Sequence, residues 1–181
     1  MRAPWLAAFA GAIALLAAVS SPAAFDPSLT SAATTVLRTG LANRTLTPGA
    51  TNPAVTQATI HRTICVSGWT SRIRPPSSYT TALKRTQLAT YGYADRNLSH
   101  YEEDHLISLE LGGSARSARN LWPEPHSVHA AGVQVGSYVK DGFENYLRRA
   151  VCSGRMRLVI AQGEISHDWV YYWKRAGRPR G

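Results

Sequence analysis

The sequence predicts an α+β fold in which short strands come before two C-terminal helices. Residues 59–66 are rich in β-branched side chains and end at Ser67-Gly68, which is typical of a strand. Residues 69–73 favour a second short strand that stops before Pro75-Pro76. Between residues 135 and 175, apolar side chains recur every three or four positions, the spacing of helices that bury one face.

Three helices are predicted between residues 78 and 175. The first passes through residues 83–89, with Ser78 or Thr80 as its cap and Gly92 at its end. The second runs from an N-cap at Ser137 to about residue 153, and the third covers residues 158–175. Residues 126–136 contain two glycines and are expected to be irregular or weakly helical.

The second of these helices has two distinct faces. Its apolar stripe recurs every four residues and comprises Val135, Val139, Phe143, Leu147 and Val151. Lys140, Glu144 and Arg148 fall on the opposite face. They indicate either surface ion pairs or a face that looks into an active site.

The N-terminus predicts export. Arg2, an apolar run at 7–19 and the small residues before position 24 form a secretory signal over residues 1–23. The run is shorter than the roughly 20 residues of a membrane span, so we expect a secreted or cell-envelope protein without stable membrane association; an uncleaved anchor is the alternative. Residues 24–55 form a Ser/Thr/Ala/Pro-rich leader with one short helix at 32–41, and residues 56–181 form the functional domain.

The charge balance indicates an acidic partner. The chain has 20 Lys and Arg against 11 Asp and Glu, a net charge of +9 that falls to +8 when Arg2 is removed with the signal. Nucleic acid is the first candidate, followed by an anionic surface polymer or lipid. The alternative is a soluble protein that is merely basic. The sequence contains neither an internal repeat nor a phosphate-binding glycine loop, which argues against repeat and P-loop proteins.

A basic cluster supports the nucleic-acid interpretation. Its members are Arg72, Arg74, Lys84 and Arg85. Aromatic side chains are interleaved with them, namely Trp69, Tyr79, Tyr91 and Tyr93. Such a mixture suits phosphate contact combined with base stacking. The alternative is a solvated helix face with its aromatic side chains in the core.

The two cysteines, Cys65 and Cys152, predict one disulfide. In an exported chain a distant pair without CxxC spacing favours a disulfide over a metal site. Closing a loop of this length is worth roughly 4–5 kcal/mol in chain entropy. Two buried free thiols are the alternative.

The strongest motif lies at residues 101–125, YEEDHLISLELGGSARSARNLWPEP. It contains Asp104-His105, a short apolar run, Gly112-Gly113 and Asn120-Leu121. A histidine beside a carboxylate can act as a general base next to a metal, which is one way to cleave phosphodiesters. An ordinary strand, turn and loop is the alternative.

These residues, at this spacing, resemble the signature of the His-Asn-His (HNH) endonucleases. The resemblance implies a ββα-metal core, in which a β-hairpin and a helix hold one divalent ion, with the other short strands and C-terminal helices around it. It also implies that His105 is the general base, that Asp104 binds the metal and that Asn120 pins the loop between the strands. Gly112-Gly113 supplies the turn.

The chain departs from the family pattern at the last metal ligand. His129 lies nine positions after Asn120 and is preferred, and His126 is the second choice. The ligand otherwise comes from the helix after Ser137 or is replaced by water, and Glu103 is a further candidate for the metal shell. The expected ion is Mg²⁺, with Mn²⁺ or Zn²⁺ as alternatives.

The sequence therefore predicts an exported, metal-dependent endonuclease that hydrolyses DNA, or RNA in its place. The alternative is a non-catalytic module that binds nucleic acid or another anionic polymer on a decayed HNH scaffold. A hydrolase acting on a different phosphodiester is a third hypothesis.

Overall fold

The computed structural model describes Met1 and residues 31–180, so the predicted signal lies outside the described residues. The α+β class is confirmed. The α-helices are α1 (Ala32–Thr39), α2 (Trp69–Ile73), α3 (Ser77–Tyr91), α4 (Ser137–Cys152) and α5 (Leu158–Arg175). The strands are β1 (Tyr101–His105), β2 (Leu121–Pro125), β3 (Val128–Ala130) and β4 (Val133–Val135).

Strands β1 and β2 form the central hairpin. They pair antiparallel, with Tyr101 opposite Pro125 and His105 opposite Leu121. Helix α3 packs against both strands, and α4 packs against β1. Every residue of β2 is buried. The hairpin thus lies between two helices, and the ends of its strands are joined by residues 106–120.

Residues 126–136 form a second hairpin, so the prediction of an irregular or helical segment was wrong. Strands β3 and β4 pair antiparallel, with Ala130 opposite Val133. Ala131 and Gly132 make the turn, with φ of 50° and 74°. Positive φ at both central residues matches the twist of a two-residue hairpin turn. The glycine is therefore a turn residue between two very short strands.

The two N-terminal strands predicted at 59–66 and 69–73 are also absent from the structure. The first segment contains a 3₁₀ turn at Ile60–Arg62, and the second is α2. The hydroxyl of Thr59 accepts from the Thr56 amide at 2.8 Å and donates to the Ala54 carbonyl at 2.8 Å. Such local bonds compete with a strand ladder. Ile60 and Ile64, one helical turn apart, are both buried.

The helices were predicted more accurately. Helix α5 has the predicted bounds, and α4 begins at Ser137 itself, with Gly136 as its cap. Helix α3 begins earlier than predicted, after Pro76, and ends as expected at Gly92, whose φ is 77°. These segments had clear stop residues or long apolar stripes.

The core has two parts. One joins α4 and α5 to the segment around Ile60 and Ile64. The other joins α1 and α3 to the central hairpin and contains Val36, Tyr91, Tyr93 and Trp122, among others. Residues 31–55, assigned to the leader by their composition, contribute buried side chains to both parts.

The predicted disulfide between Cys65 and Cys152 is present, with its Cα atoms 5.6 Å apart. It ties the segment before α2 to the end of α4. A disulfide is compatible with an extracytoplasmic protein. No helix within residues 31–180 is both long and apolar enough to cross a membrane.

Removing this disulfide is expected to lower stability. The Cys65→Ser/Cys152→Ser double variant should lose about 4 kcal/mol of unfolding free energy, because its unfolded chain is no longer constrained. Urea denaturation of both proteins measures the difference. The reductant-treated wild type is the matched control and should unfold like the variant. An unchanged midpoint in both would contradict the expectation.

Candidate functional site

A cleft of about 340 Å³ lies between α3 and the β1 strand. Its basic wall contains Arg74 and Lys84, and its floor contains Glu102 and Glu103. His105 lines the same cleft. Hydroxyl side chains from the first turns of α3 complete the wall together with His126. The structure thus places the predicted base beside part of the predicted basic cluster.

His105 is the last residue of β1 and is buried. Its Nε2 lies 3.1 Å from the carbonyl oxygen of Ala115. A carbonyl can only accept, so Nε2 carries the proton and Nδ1 is left as the acceptor of the neutral ring. Burial lowers the pKa of His105, although Asp104 and the Ala115 carbonyl oppose the shift. The ring is therefore neutral at pH 7, the state a general base needs.

Asn120 closes the loop that holds this histidine. Its Oδ1 accepts from the amide of Ile107 at 3.0 Å and that of Ala50 at 3.3 Å. Its Nδ2 donates to the carbonyls of Ile107 at 3.0 Å and Ser114 at 3.1 Å. The side chain is fully buried. The loop that carries the Ala115 carbonyl is thereby fixed relative to the end of β1.

The two glycines in this loop are needed for different reasons. Gly112 has a φ of 76°, which favours glycine. Gly113 has an ordinary φ, but a Cβ there would lie 1.7 Å from the Ile107 carbonyl oxygen and 2.8 Å from Nδ2 of Asn120. The second glycine therefore makes room for the hydrogen bonds of Asn120.

Asp104 points to the opposite face of β1, because successive strand residues alternate. There it meets Lys140 of α4, whose Nζ lies 2.6 Å from Oδ2 of Asp104. Lys140 also binds a carboxylate oxygen of Glu144. The other oxygen of Glu144 accepts from the hydroxyl of Ser108 at 2.6 Å. Lys140 and Glu144 are thus buried against the end of β1 and Ser108, and their ion pairs do not lie on the surface.

The opposite charges of Lys140 and Asp104 stabilise each other. Burial lowers the pKa of Lys140, but the carboxylates of Asp104 and Glu144 raise it well above its usual value. Burial raises the pKa of Asp104, but the charge of Lys140 outweighs this and lowers it overall. Burial and Asp104 raise the pKa of Glu144 to about 7, against the effect of Lys140. The central pair, Asp104 and Lys140, is therefore ionised at neutral pH.

The predicted metal ligands are not brought together. Asp104 is bound to Lys140, and His129 is exposed on β3, opposite Gln134. His126 lines the cleft, where its Nδ1 lies 2.9 Å from the Ser137 hydroxyl. Within residues 31–180, no three His, Cys, Asp or Glu side chains are grouped so that they could hold a metal ion. As arranged, these residues do not fit a divalent ion held by Asp104.

The four predicted basic residues occupy different places. Lys84 donates to the carbonyls of Leu98 at 2.8 Å and Tyr101 at 2.6 Å, which leaves one of its three N–H groups for a ligand. Arg74 is exposed at the cleft mouth. Arg72 lies over the ring of Trp69, and Arg85 is exposed outside the cleft lining. Two of the four thus line the cleft.

The aromatic residues interleaved with the basic cluster also occupy different places. Tyr91 and Tyr93 are buried in the core, as the alternative interpretation expected. Tyr79 is half-buried, and its hydroxyl donates to the Arg116 carbonyl at 2.6 Å while the Arg116 guanidinium lies over its ring. Tyr79 therefore joins α3 to the loop of residues 106–120. Its ring also packs against Arg116, a basic residue that the sequence pattern did not single out.

Glu103 is the most unusual group on the cleft floor. It is buried, and both of its carboxylate oxygens are without a hydrogen-bond partner in residues 31–180. Burial raises its pKa to about 8, with a further contribution from Asp104. Near pH 7 this carboxyl is mostly protonated and adds little negative charge to the cleft.

Replacing Glu103 with glutamine is expected to make stability less sensitive to pH. Its pKa rises from 4.5 to about 8 on folding, so between these values the folded state keeps a proton that the unfolded chain has lost. Wild-type stability therefore falls as pH increases through this range. The unfolding free energy of Glu103→Gln, relative to that of the wild type, should increase by roughly 4 kcal/mol between pH 5 and pH 8.5, in urea denaturation at each pH. Glu164→Gln, at a more accessible position on α5, should show a much smaller trend. A constant difference for Glu103→Gln would contradict the expectation.

No family model, no curated protein and no solved structure matches the chain. The resemblance to HNH endonucleases therefore rests on the sequence of residues 101–125.

Sequence reasoning missed Lys140 as a partner of Asp104. The only signal was the i, i+4 spacing of Lys140 and Glu144, which is the same on an exposed helix face and on one packed against a strand. It also missed Glu124, which is buried beside Asp104 and whose pKa is raised well above its usual value by burial and by Asp104.

Proposed function

We propose that this chain is an exported endonuclease that hydrolyses phosphodiester bonds, with DNA as the first candidate substrate and RNA as the second. The observation that carries the proposal is His105. Its ring is neutral, its Nε2 is fixed on the Ala115 carbonyl, and it lines a cleft with a basic wall. A fixed neutral imidazole next to an anion-binding wall is suited to activating water for attack on a phosphate.

The proposed reaction uses the chain's own residues. A water molecule attacks phosphorus while His105 takes its proton, and the bond from phosphorus to the 3′ oxygen breaks. The departing oxygen takes up a proton from solvent. Arg74 and the remaining N–H group of Lys84 offset the charge on the phosphate. Protonation of Glu103 removes one of the two negative charges that the floor of the cleft would otherwise present to it.

The proposed core is a variant of the ββα unit. The antiparallel pairing of β1 with β2 and the packing of α4 against β1 support this assignment. The β3–β4 hairpin is an addition between β2 and the helix. The divalent ion implied by the resemblance has no matching ligand set in this arrangement, so no step is routed through it.

A second candidate is the binding module without catalysis. The ion pair of Asp104 with Lys140 favours it, because this carboxylate is then not free to ligate a metal. The mature charge of +8 would supply its affinity for an anionic polymer.

One assay distinguishes the endonuclease from the binding module. Purified oxidised protein is incubated with supercoiled plasmid, in EDTA and in a panel of Mg²⁺, Mn²⁺ and Zn²⁺, and nicked product is measured alongside salt-dependent binding. The endonuclease predicts nicking in at least one condition. Salt-sensitive binding with no nicking in any condition would contradict it and support the binding module. An RNA substrate in parallel separates the two nucleic acids.

A further inference from the structure

Lys140 is the most completely enclosed charged residue in the described part of the chain. It lies in the first turn of α4 and its exposed fraction is 0%. An ammonium in such a place must be paired, because burying an isolated charge is very costly. The ammonium is paired at the face of β1 that carries Asp104.

The ammonium has three N–H donors, and the structure supplies three acceptors. Nζ donates to Oδ2 of Asp104 at 2.6 Å, to the main-chain carbonyl of His105 at 3.0 Å, and to a carboxylate oxygen of Glu144. The donor capacity of the group is thereby used completely. Lys140 thus contacts both halves of the Asp104-His105 pair.

A divalent ion bound to Asp104 would have to compete with this ammonium. Both cations would need the same carboxylate, and at such a separation in a buried site they would repel each other strongly. The carboxyls of Glu144 and Glu124 lie beside the same ammonium and also raise its pKa, so the site is built around a single cation. One positive charge is already built into the place where the motif would put a metal.

We propose that the Lys140 ammonium is the resident cation of this site and takes the place of a divalent metal at Asp104. It holds the Asp104 carboxylate and the end of β1, and so acts as a positioning residue for His105. The proposal concerns which cation fills the site, so it holds or fails whether or not the chain cleaves nucleic acid.

The first test is metal binding by the wild type. Oxidised protein is titrated with Mn²⁺ and Mg²⁺ by calorimetry, in parallel with Asp104→Asn. We expect no binding tighter than about 0.1 mM that depends on Asp104. Weak binding that persists in Asp104→Asn also supports the proposal, because the ion then sits elsewhere. Binding of one ion per chain that is lost in Asp104→Asn overturns it.

The second test removes the ammonium. Lys140→Met keeps an unbranched apolar stem but lacks the ammonium and leaves the carboxylates without their cation, so its melting temperature should fall by on the order of 10 °C. Added Mn²⁺ should then raise the melting temperature of this variant, while leaving that of the wild type unchanged.

Lys174→Met is the matched control, since Lys174 donates to the Ala131 carbonyl and forms no ion pair with a carboxylate among residues 31–180. It should show a small change and no response to Mn²⁺. A folded Lys140→Met protein that ignores Mn²⁺ counts against the proposal. If Lys140→Met does not fold, the wild-type titration decides.

Discussion

Replacing His105 with alanine is expected to lower the rate of plasmid nicking by about 10²–10⁴-fold, the range typical for the loss of a general base. The neutral ring accepts the proton of the attacking water, and no other described residue is held in this way between the end of β1 and the 106–120 loop. The nicking rate of equal amounts of wild-type and variant protein measures the loss.

The His105→Ala protein should remain folded. Its one side-chain hydrogen bond, to the Ala115 carbonyl, is worth only about 1 kcal/mol. His167→Ala is the matched control, because that ring is exposed on α5 and outside the cleft lining. Full nicking activity in a folded His105→Ala protein would contradict the proposed role.

Replacing Asn120 with alanine is expected to cost about 4–5 kcal/mol of unfolding free energy, near the upper end for a single substitution. The change breaks four hydrogen bonds to main-chain groups of Ile107, Ala50 and Ser114. Buried groups that lose their partner carry a desolvation cost of about 1–3 kcal/mol each, only partly relieved when water enters. Urea denaturation measures this loss.

Nicking should fall as well, because the Ala115 carbonyl that orients His105 belongs to the same loop. Asn145→Ala is the control, since that side chain makes a single hydrogen bond, to the Asp141 carbonyl on the surface of α4. A change in Asn120→Ala no larger than that in Asn145→Ala would show that the loop does not depend on this side chain.

The C-terminal helices could be predicted from sequence because their stripes span several turns. In α4, the apolar residues Phe143, Leu147 and Val151 recur every four positions and are all buried. The short N-terminal segments could not be predicted in this way. Ile60 and Ile64 fit a β-branched strand pattern. In the structure both side chains are buried, but Ile60 lies in a 3₁₀ turn and Ile64 follows that turn.

The residues of the candidate site also differ in how far the sequence could predict their arrangement. The spacing of His105, Gly113 and Asn120 is local, and the structure brings the three into one loop-and-hairpin unit. The partner of Asp104 is not local, because Lys140 lies 36 positions away. Which face of α4 meets β1 depends on how the whole helix packs. Residue spacing within α4 is the same for either orientation.

The pH dependence of the wild-type nicking rate tests the central claim most directly. If a neutral His105 is the base, the rate rises as the ring loses its proton. Because the pKa of His105 lies below the ordinary 6.5, most of the rise should be over by about pH 7, and the rate should change little from there to pH 7.5. Absence of nicking at every pH, or a rate that still increases tenfold per pH unit above about pH 7, would contradict the account.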